Sequence, residues 1–370
     1  MTPFKVSHAT AEDWAHAAKA CADGLKTDAN DTLGFVYVTD DLSEDLSSVL
    51  TYLRQKTGVE HWVGSIGMGI CAGETEYFDR PAVAAMVMAI PEDSFSIFPS
   101  FNEDLGQLPQ ATLDWIDKAE PLFGVVHGDP GNADTPDLIN DLAELTSGFL
   151  VGGLTSSREA NHQIADHMTG GGVSGILFAP EIQVATGLSQ GCAPVAGTHV
   201  ISDCLDNVII GLDGHRALDV FKEDVGELLA RDLSRVSGYI HAALPIEGSD
   251  TGDYMVRNLM GIDPVRGWLA IGEQIDPGDR VMFVRRDPES ARDDLRAMLQ
   301  NLAKRLPEKP RGGLYFSCIA RGPSMFGEEG KEMAILRETF DDVPIVGFYA
   351  NGEISNSRLY SYTGVLTLFM

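Results

Sequence analysis

A strand, a helix, a strand carrying Val-Gly and a closing strand follow one another three times in this chain, and this recurrence limits its fold more than any single motif. In the first pass residues 33–38 read as a buried strand. Asp40-Asp41-Leu42-Ser43-Glu44 starts a helix with Leu46, Val49, Leu50 and Leu53 on one face. His61-Trp62-Val63-Gly64 is the second strand, and residues 81–90 close the unit. The second pass has a strand at 122–126, a helix from Pro136 with Leu138, Ile139, Leu142 and Leu145, a strand at 149–152 and a closing strand at 173–178. The third has a strand at 314–316, a helix at 328–340, Ile345-Val346-Gly347, and a closing strand at 364–369. Gly64 to Ile90 and Gly152 to Phe178 each span 26 residues, and Gly347 to Phe369 spans 22. Such regular spacing is the mark of repeated supersecondary units.

Helical patterns at 11–26 (Trp14, Ala17, Ala18, Cys21, Leu25) and 288–305 (Ala291, Leu295, Met298, Leu299, Leu302) precede the first and third units. Residues 182–286 differ. They read as strands with one helix, at 214–229, on Ala217, Leu218, Phe221, Val225 and Leu228. Residues 247–253 form an exposed loop and 307–313 a turn-rich connector. The expected fold is α/β of the mixed α+β class: two related halves built from strand–helix–strand–strand units, with sheets flanked by helices.

Charge removes several function classes. The 370 residues carry 27 Lys and Arg against 55 Asp and Glu, a net charge of −28. Nucleic acids and anionic membrane surfaces require a positive field, so neither is an expected partner. Residues 1–150 hold −18 of that charge, which suits solvation or protein docking. The five cysteines, Cys21, Cys71, Cys192, Cys204 and Cys318, are odd in number and contain no C-x-x-C. That is neither a disulfide framework nor a zinc knuckle. The first residues contain no apolar signal region, and no uncharged apolar run approaches 18 residues. A cytoplasmic protein is expected.

Motifs that suggest chemistry lack their settings. Gly67-Met68-Gly69-Ile70-Cys71-Ala72 and Gly170-Gly171-Gly172-Val173-Ser174-Gly175 fit G-x-G-x-x-G/A, but no helix start follows either, so both read as turns. Gly187-Leu188-Ser189-Gln190-Gly191 fits G-x-S-x-G, yet Pro194 stands where the nucleophile elbow needs a helix. His162 and His167 are five apart, on different helix faces. His127 ends a strand before Gly-Asp-Pro-Gly and faces either a pocket or a hydrogen-bond partner. The densest chemistry closes two neighbouring strands: Cys318-Ile319-Ala320-Arg321-Gly322 and Gly347-Phe348-Tyr349-Ala350-Asn351-Gly352-Glu353. A guanidinium there suits a carboxylate, and a glutamate suits an ammonium. Either a small amphoteric ligand satisfies both, or Arg321 and Glu353 pair with each other.

Several of these segments, in order, resemble the FIST family. They are Ser189-Gln190-Gly191-Cys192-Ala193-Pro194, Leu212-Asp213-Gly214-His215-Arg216-Ala217-Leu218, Val256-Arg257-Asn258-Leu259-Met260-Gly261-Ile262-Asp263, Phe316-Ser317-Cys318-Ile319-Ala320-Arg321-Gly322, Val346-Gly347-Phe348-Tyr349-Ala350-Asn351-Gly352-Glu353-Ile354 and Tyr362-Thr363-Gly364-Val365. Ala193 stands where the family usually has a basic residue. The resemblance implies an N-terminal helix at 1–30, a FIST N-like domain at 31–230 and a FIST C-like domain at 231–370. It implies a sensory, signal-transducing protein that binds a small molecule, with amino acids among the ligands, and that acts through a separate signalling partner. The expected ligand-binding residues are Ser189, Gln190, Cys192, Cys318, Arg321, Tyr349, Asn351 and Glu353. No catalytic or metal-binding residue is assigned and no cofactor is required. The alternatives are a haem-binding nitric oxide sensor, which would need an axial His or Cys, and a hydrolase using Ser189 or Cys192.

Overall fold

The computed structural model describes residues 2–226, 233, 236, 238–246 and 253–370. The expected loop at 247–252 and helix end at 227–229 lie outside the described residues. The chain divides into two compact units, 1–189 with 292–370, and 190–291. The class is mixed α+β, with several sheets flanked by helices.

The first unit holds three copies of one motif. Copy one is β1 (Lys5–Thr10), α1 (Trp14–Leu25), β2 (Leu33–Thr39), α2 (Leu46–Thr57), β3 (His61–Gly67), the hairpin β4 (Gly69–Ala72) and β5 (Thr75–Phe78), and β6 (Ala82–Met88). Copy two is β7 (Phe95–Phe101), α3 (Gln110–Ala119), β8 (Phe123–Gly128), α4 (Thr135–Thr146), β9 (Phe149–Leu154), the hairpin β10 (His162–Ala165) and β11 (His167–Gly170), and β12 (Val173–Phe178). Copy three opens with β13 (Val184–Ser189) and is then interrupted. The insert contains β14 (Cys192–Pro194), β15 (His199–Leu205), β16 (Val208–Leu212), β17 (His215–Arg216), α5 (Ala217–Val225), β18 (Ile240–Pro245), β19 (Tyr254–Asp263), β20 (Trp268–Ile271) and β21 (Arg280–Arg286). Copy three resumes with α6 (Pro288–Arg305), β22 (Gly312–Cys318), the short α7 (Pro323–Phe326), α8 (Lys331–Phe340), β23 (Ile345–Ala350), the hairpin β24 (Glu353–Ser355) and β25 (Arg358–Tyr360), and β26 (Gly364–Phe369). The repeated unit expected from sequence is thus present. The grouping into two halves gives way to three copies plus an insert, because the third copy is split by about a hundred residues of a different, antiparallel pattern.

The three sheets have the same strand order: β1-β6-β2-β3-β10-β11, β7-β12-β8-β9-β24-β25 and β13-β26-β22-β23-β4-β5. Each central pair is parallel and joined through a helix, and the closing strand pairs antiparallel beside it. Each outer hairpin belongs to another copy. The hairpin of copy one extends the third sheet, that of copy three the second, and that of copy two the first. This cyclic exchange ties the three copies into one unit.

The repeated Val-Gly has a steric cause. In the parallel pairs Gly64 lies opposite Val36, Gly152 opposite Val126 and Gly347 opposite Tyr315. A Cβ on these glycines would stand 1.8, 1.8 and 1.7 Å from the carbonyl oxygens of those residues. One residue further along the first strand, Tyr37, His127 and Phe316 meet inside a shared core. Their ring centroids are 5.7 to 6.3 Å apart. His127 is wholly buried, its Nε2 lies 3.3 Å from the Tyr37 hydroxyl, and burial pulls its pKa down to about 3. It is a neutral core histidine.

The helix expected within 1–30 occupies Trp14–Leu25, capped by the Asp13 carboxylate on the His16 N–H. Residues 5–10 precede it as an edge strand. Among the described residues of the second unit every strand pair is antiparallel. The ladder runs from β21 through β15, β16, β20, β19 and β18 and back to β21, closing a barrel packed around Ile209, Phe221, Leu269 and Phe283. Among the described residues no helix is long and apolar enough to cross a membrane.

Candidate functional site

The outer face of each sheet in the first unit is covered by its own helices. In copies one and two that layer is hydrocarbon. Val36, Val38, Ile66 and Val83 pack under α1 and α2, and Val126, Leu154 and Val173 pack with α4 residues. In copy three the positions equivalent to Val36, Val38, Ile66 and Val83 are Tyr315, Ser317, Tyr349 and Gly364. The layer here is polar.

Its centre is Glu332, on the first turn of α8, wholly buried. Glu332 Oε1 accepts from Tyr315 Oη at 2.7 Å, Ser317 Oγ at 2.9 Å and Arg321 Nε at 2.8 Å, and Oε2 accepts from the Gly322 N–H at 3.1 Å. Arg321 is also wholly buried; its Nη1 reaches Ser189 O and Oγ at 3.3 Å, and its guanidinium lies 5.2 Å over the Phe326 ring. Two glycines make room. Gly322 has φ +52°, which a side chain rarely tolerates, and a Cβ on Gly364 would stand 2.4 Å from Tyr315 Oη.

Glu76, on the exchanged hairpin, accepts from the Glu332 and Met333 N–H groups at 3.1 Å. Burial, and then the neighbouring Glu332 carboxylate, push its pKa up to about 7. The Tyr349 ring packs tilted against Phe78 of that hairpin, centroids 4.6 Å apart, and burial lifts its hydroxyl well above the usual phenol range. At the strand ends Glu353 Oε2 accepts from Thr363 N–H at 3.0 Å and Thr363 Oγ1 at 2.8 Å. Burial outweighs these bonds and raises its pKa to about 8. Burial, and then the Glu353 carboxylate, raise the Cys318 thiol well above its usual range. The Glu76 carboxyl interacts with the Tyr349 hydroxyl, and the Glu353 carboxyl with the Cys318 thiol. One arginine thus sits with three carboxyls, two of which are held protonated into the neutral range.

Ser189, Cys318, Arg321, Tyr349 and Glu353 are therefore brought into one neighbourhood. The alternative pairing of Arg321 with Glu353 is corrected: Arg321 pairs with Glu332, because Glu332 enters from α8 directly over the strand end. Asn351 is exposed, and its N–H donates to the Leu154 carbonyl. Gln190 and Cys192 belong to the second unit. There Gln190 Nε2 donates to the Tyr254 carbonyl, and Tyr254 Oη donates to that of Cys192. Sequence reasoning missed Glu332 and Glu76. The signal for Glu332 was a lone carboxyl on the helix face formed by Met333, Ile335, Leu336 and Phe340.

Ser189 does not fit the hydrolase alternative, and His127 and Cys318 do not fit as axial ligands of the haem alternative. Ser189 ends a strand and is followed by a strand, β14, not by the helix of a nucleophile elbow. Haem requires an axial ligand facing a void wide enough for the macrocycle. His127 is enclosed by Tyr37, Phe316 and Phe348, and Cys318 is held as a buried thiol. Among the described residues no group of three or more His, Cys, Asp or Glu is placed to hold a metal ion.

The Glu353 shift has a measurable consequence. The folded state keeps a proton that the unfolded chain releases above about 4.5. This carboxyl therefore makes folding less favourable as pH rises from about 4.5 to about 8. Glu353→Gln, which keeps the shape without the titration, is expected to flatten the fall of Tm across that window. A Tm–pH curve parallel to the wild type would contradict the assignment.

Residues 32–215 match the FIST N domain and residues 217–356 the FIST C domain. The chain belongs to the FIST family. FIST domains are associated with sensory and signal-transduction proteins that bind small ligands. An uncharacterized protein of Mycobacterium tuberculosis (strain ATCC 25618 / H37Rv) is 29% identical, over 99% of this chain and 97% of its own length. An uncharacterized protein of Mycobacterium bovis is 28% identical, over 90% of this chain and 88% of its own. F-box only protein 22 of Pongo abelii is 34% identical over 71 residues, 19% of this chain and 18% of its own.

Proposed function

We propose that this chain is a cytoplasmic small-molecule sensor whose ligand-responsive site is the polar layer of copy three, and that it signals through a separate partner. The observation that carries this is the contrast between copies. The same layer is hydrocarbon in two of them and contains Arg321, Glu332 and Glu76 in the third. Buried charge is a poor source of stability compared with hydrocarbon of similar volume, so its presence at one of three equivalent places points to function.

The chemistry suits an amphoteric ligand such as an amino acid. A ligand carboxylate would compete with Glu332 for the Arg321 guanidinium, and a ligand ammonium would pair with Glu76 and Glu353 once these carboxyls give up their protons. In this reading the entrance is the segment between Arg321 and Glu332. It contains Gly322, Gly327 and Gly330 at positive φ, and Phe326 covers the guanidinium. Hinging at these glycines would uncover Arg321. The five cysteines are all free thiols, which suits a reducing cytoplasm.

A thermal-shift panel of the twenty L-amino acids with their N-acetyl and amide derivatives tests the reading. A ligand at a hundredfold its Kd stabilises by about 2.7 kcal/mol. A zwitterion is expected to raise Tm where its blocked derivatives do not, and Glu76→Gln with Glu353→Gln is expected to shrink the shift. No shift anywhere in the panel, or an equal shift in the double variant, would remove the proposal.

A further inference from the structure

In the second unit His199, at the start of β15, stands between two carboxylates from different elements. Its Nδ1 is 2.7 Å from Asp213 Oδ2 in the β16–β17 turn, and its Nε2 is 2.8 Å from Asp224 Oδ2 in the last turn of α5. The His199 and Asp224 side chains are 16% and 11% exposed. A neutral imidazole has one N–H, so it can donate to only one of these carboxylates and must turn a lone pair toward the other. Donation to both ionised carboxylates at once requires the imidazolium.

The two carboxylates are not held alike. Asp213 Oδ1 also accepts from the Val200 N–H at 2.9 Å, and Asp213 sits in a tight turn at φ +50°. It is fixed by the backbone around it. Asp224 is carried by a nine-residue helix whose apolar side, Leu218 and Phe221, packs on the barrel. Asp224 therefore has fewer backbone restraints than Asp213.

We propose that His199 is a proton-dependent latch that fastens the last turn of α5 to the barrel through Asp224 and lets go as pH rises and the imidazolium is lost. This is independent of the ligand proposal, since all its residues lie in the other unit. It also gives Asp213 of the Leu212-Asp213-Gly214-His215-Arg216 motif a role, as the fixed jaw of the latch.

The charged groups that act on the ring are Asp213 of the turn and Asp224 of α5; His215 of the same turn acts on Asp213, and on the paired strand β21 the backbone neighbours are Val281 and Arg280, just after Asp279. Burial lowers the His199 pKa, but hydrogen bonds and charge from Asp213 and Asp224 together raise it above the ordinary histidine value of about 6.5. The sign follows from that direction. The latch contributes its full stability below about 6.5 and loses it as pH rises through the higher folded value.

Nitrogen-15 NMR of the whole chain tests this. The His199 ring is expected to show both nitrogens protonated at pH 6.5 and to titrate above it. Amide protection factors at residues 221–225, normalised for intrinsic exchange, are expected to fall severalfold across that titration. His199→Gln and Asp224→Asn are expected to show low protection there at every pH, with barrel amides of β16 and β20 unchanged. A neutral His199 ring at pH 6.5, or helix protection that stays within about twofold while the ring titrates, would overturn the proposal. So would Asp224→Asn protection that still follows pH as in the wild type.

Discussion

Arg321→Ala is expected to lower the unfolding free energy by about 3 to 5 kcal/mol, because it strands the Glu332 carboxylate in a buried layer. Glu332 takes four hydrogen bonds, from Tyr315, Ser317, Arg321 and the Gly322 N–H. Three remain in the variant, but the compensating charge is gone. In urea the midpoint should drop with an unchanged slope, the sign of lost stability without a changed unfolded state. The double variant Arg321→Met with Glu332→Gln removes both charges and keeps an acceptor for Tyr315 and Ser317. It is expected to be more stable than the sum of the single losses by about 0.5 to 3 kcal/mol. A loss under about 1 kcal/mol for Arg321→Ala, the size of an exposed ion pair, would contradict the buried pairing.

Gly347→Ala is expected to cost about 3 kcal/mol, the upper end of the range for overpacking. The added methyl would meet backbone atoms: Tyr315 O at 1.7 Å, C at 2.6 Å and N at 3.0 Å. No rotamer change relieves such a clash. β22 is held between β23 and β26 in continuous register, so it cannot retreat without breaking a ladder. Gly64→Ala and Gly152→Ala should behave alike, because each meets a carbonyl at 1.8 Å. Gly197→Ala, which adds a methyl to open space, is expected to change stability by less than about 0.5 kcal/mol. Chemical denaturation of the four variants provides the comparison. Similar small losses for Gly347 and Gly197 would mean that the three parallel pairs are not as close as described.

The Val-Gly recurrence was legible in the sequence because its cause is local: each glycine answers a carbonyl on the adjacent parallel strand. The central strands were legible for a similar reason. They are buried on both faces, so they read as apolar runs such as Leu33–Thr39 and Ala82–Met88. The exchanged hairpins were not legible. Their strands are three or four residues long, and their partners lie up to hundreds of residues away. α3 was missed because only Thr112 and Ile116 of its ten residues are buried.

The candidate site was half legible. The Cys318–Gly322 and Gly364 motifs stand out by composition, and they line the polar layer. Their partners do not stand out. Glu332 looks like one more surface acid of a chain with 55 acidic residues, and Glu76 sits in a hairpin that crosses to another sheet. Which carboxyl meets Arg321 is set by tertiary placement, and the nearest candidate in sequence terms, Glu353, was the wrong one.

The central claim is that the polar layer of copy three is where a small ligand acts. Amide hydrogen exchange with the amino acid that gives the largest thermal shift, with and without that ligand, tests it most directly. The account predicts added protection in α8, in the 322–330 segment and in β5, the elements that carry Glu332, the glycine hinges and Glu76. Protection confined to the 470 Å³ surface groove around Asp129, Asn161 and His162, with none in those three elements, would contradict it.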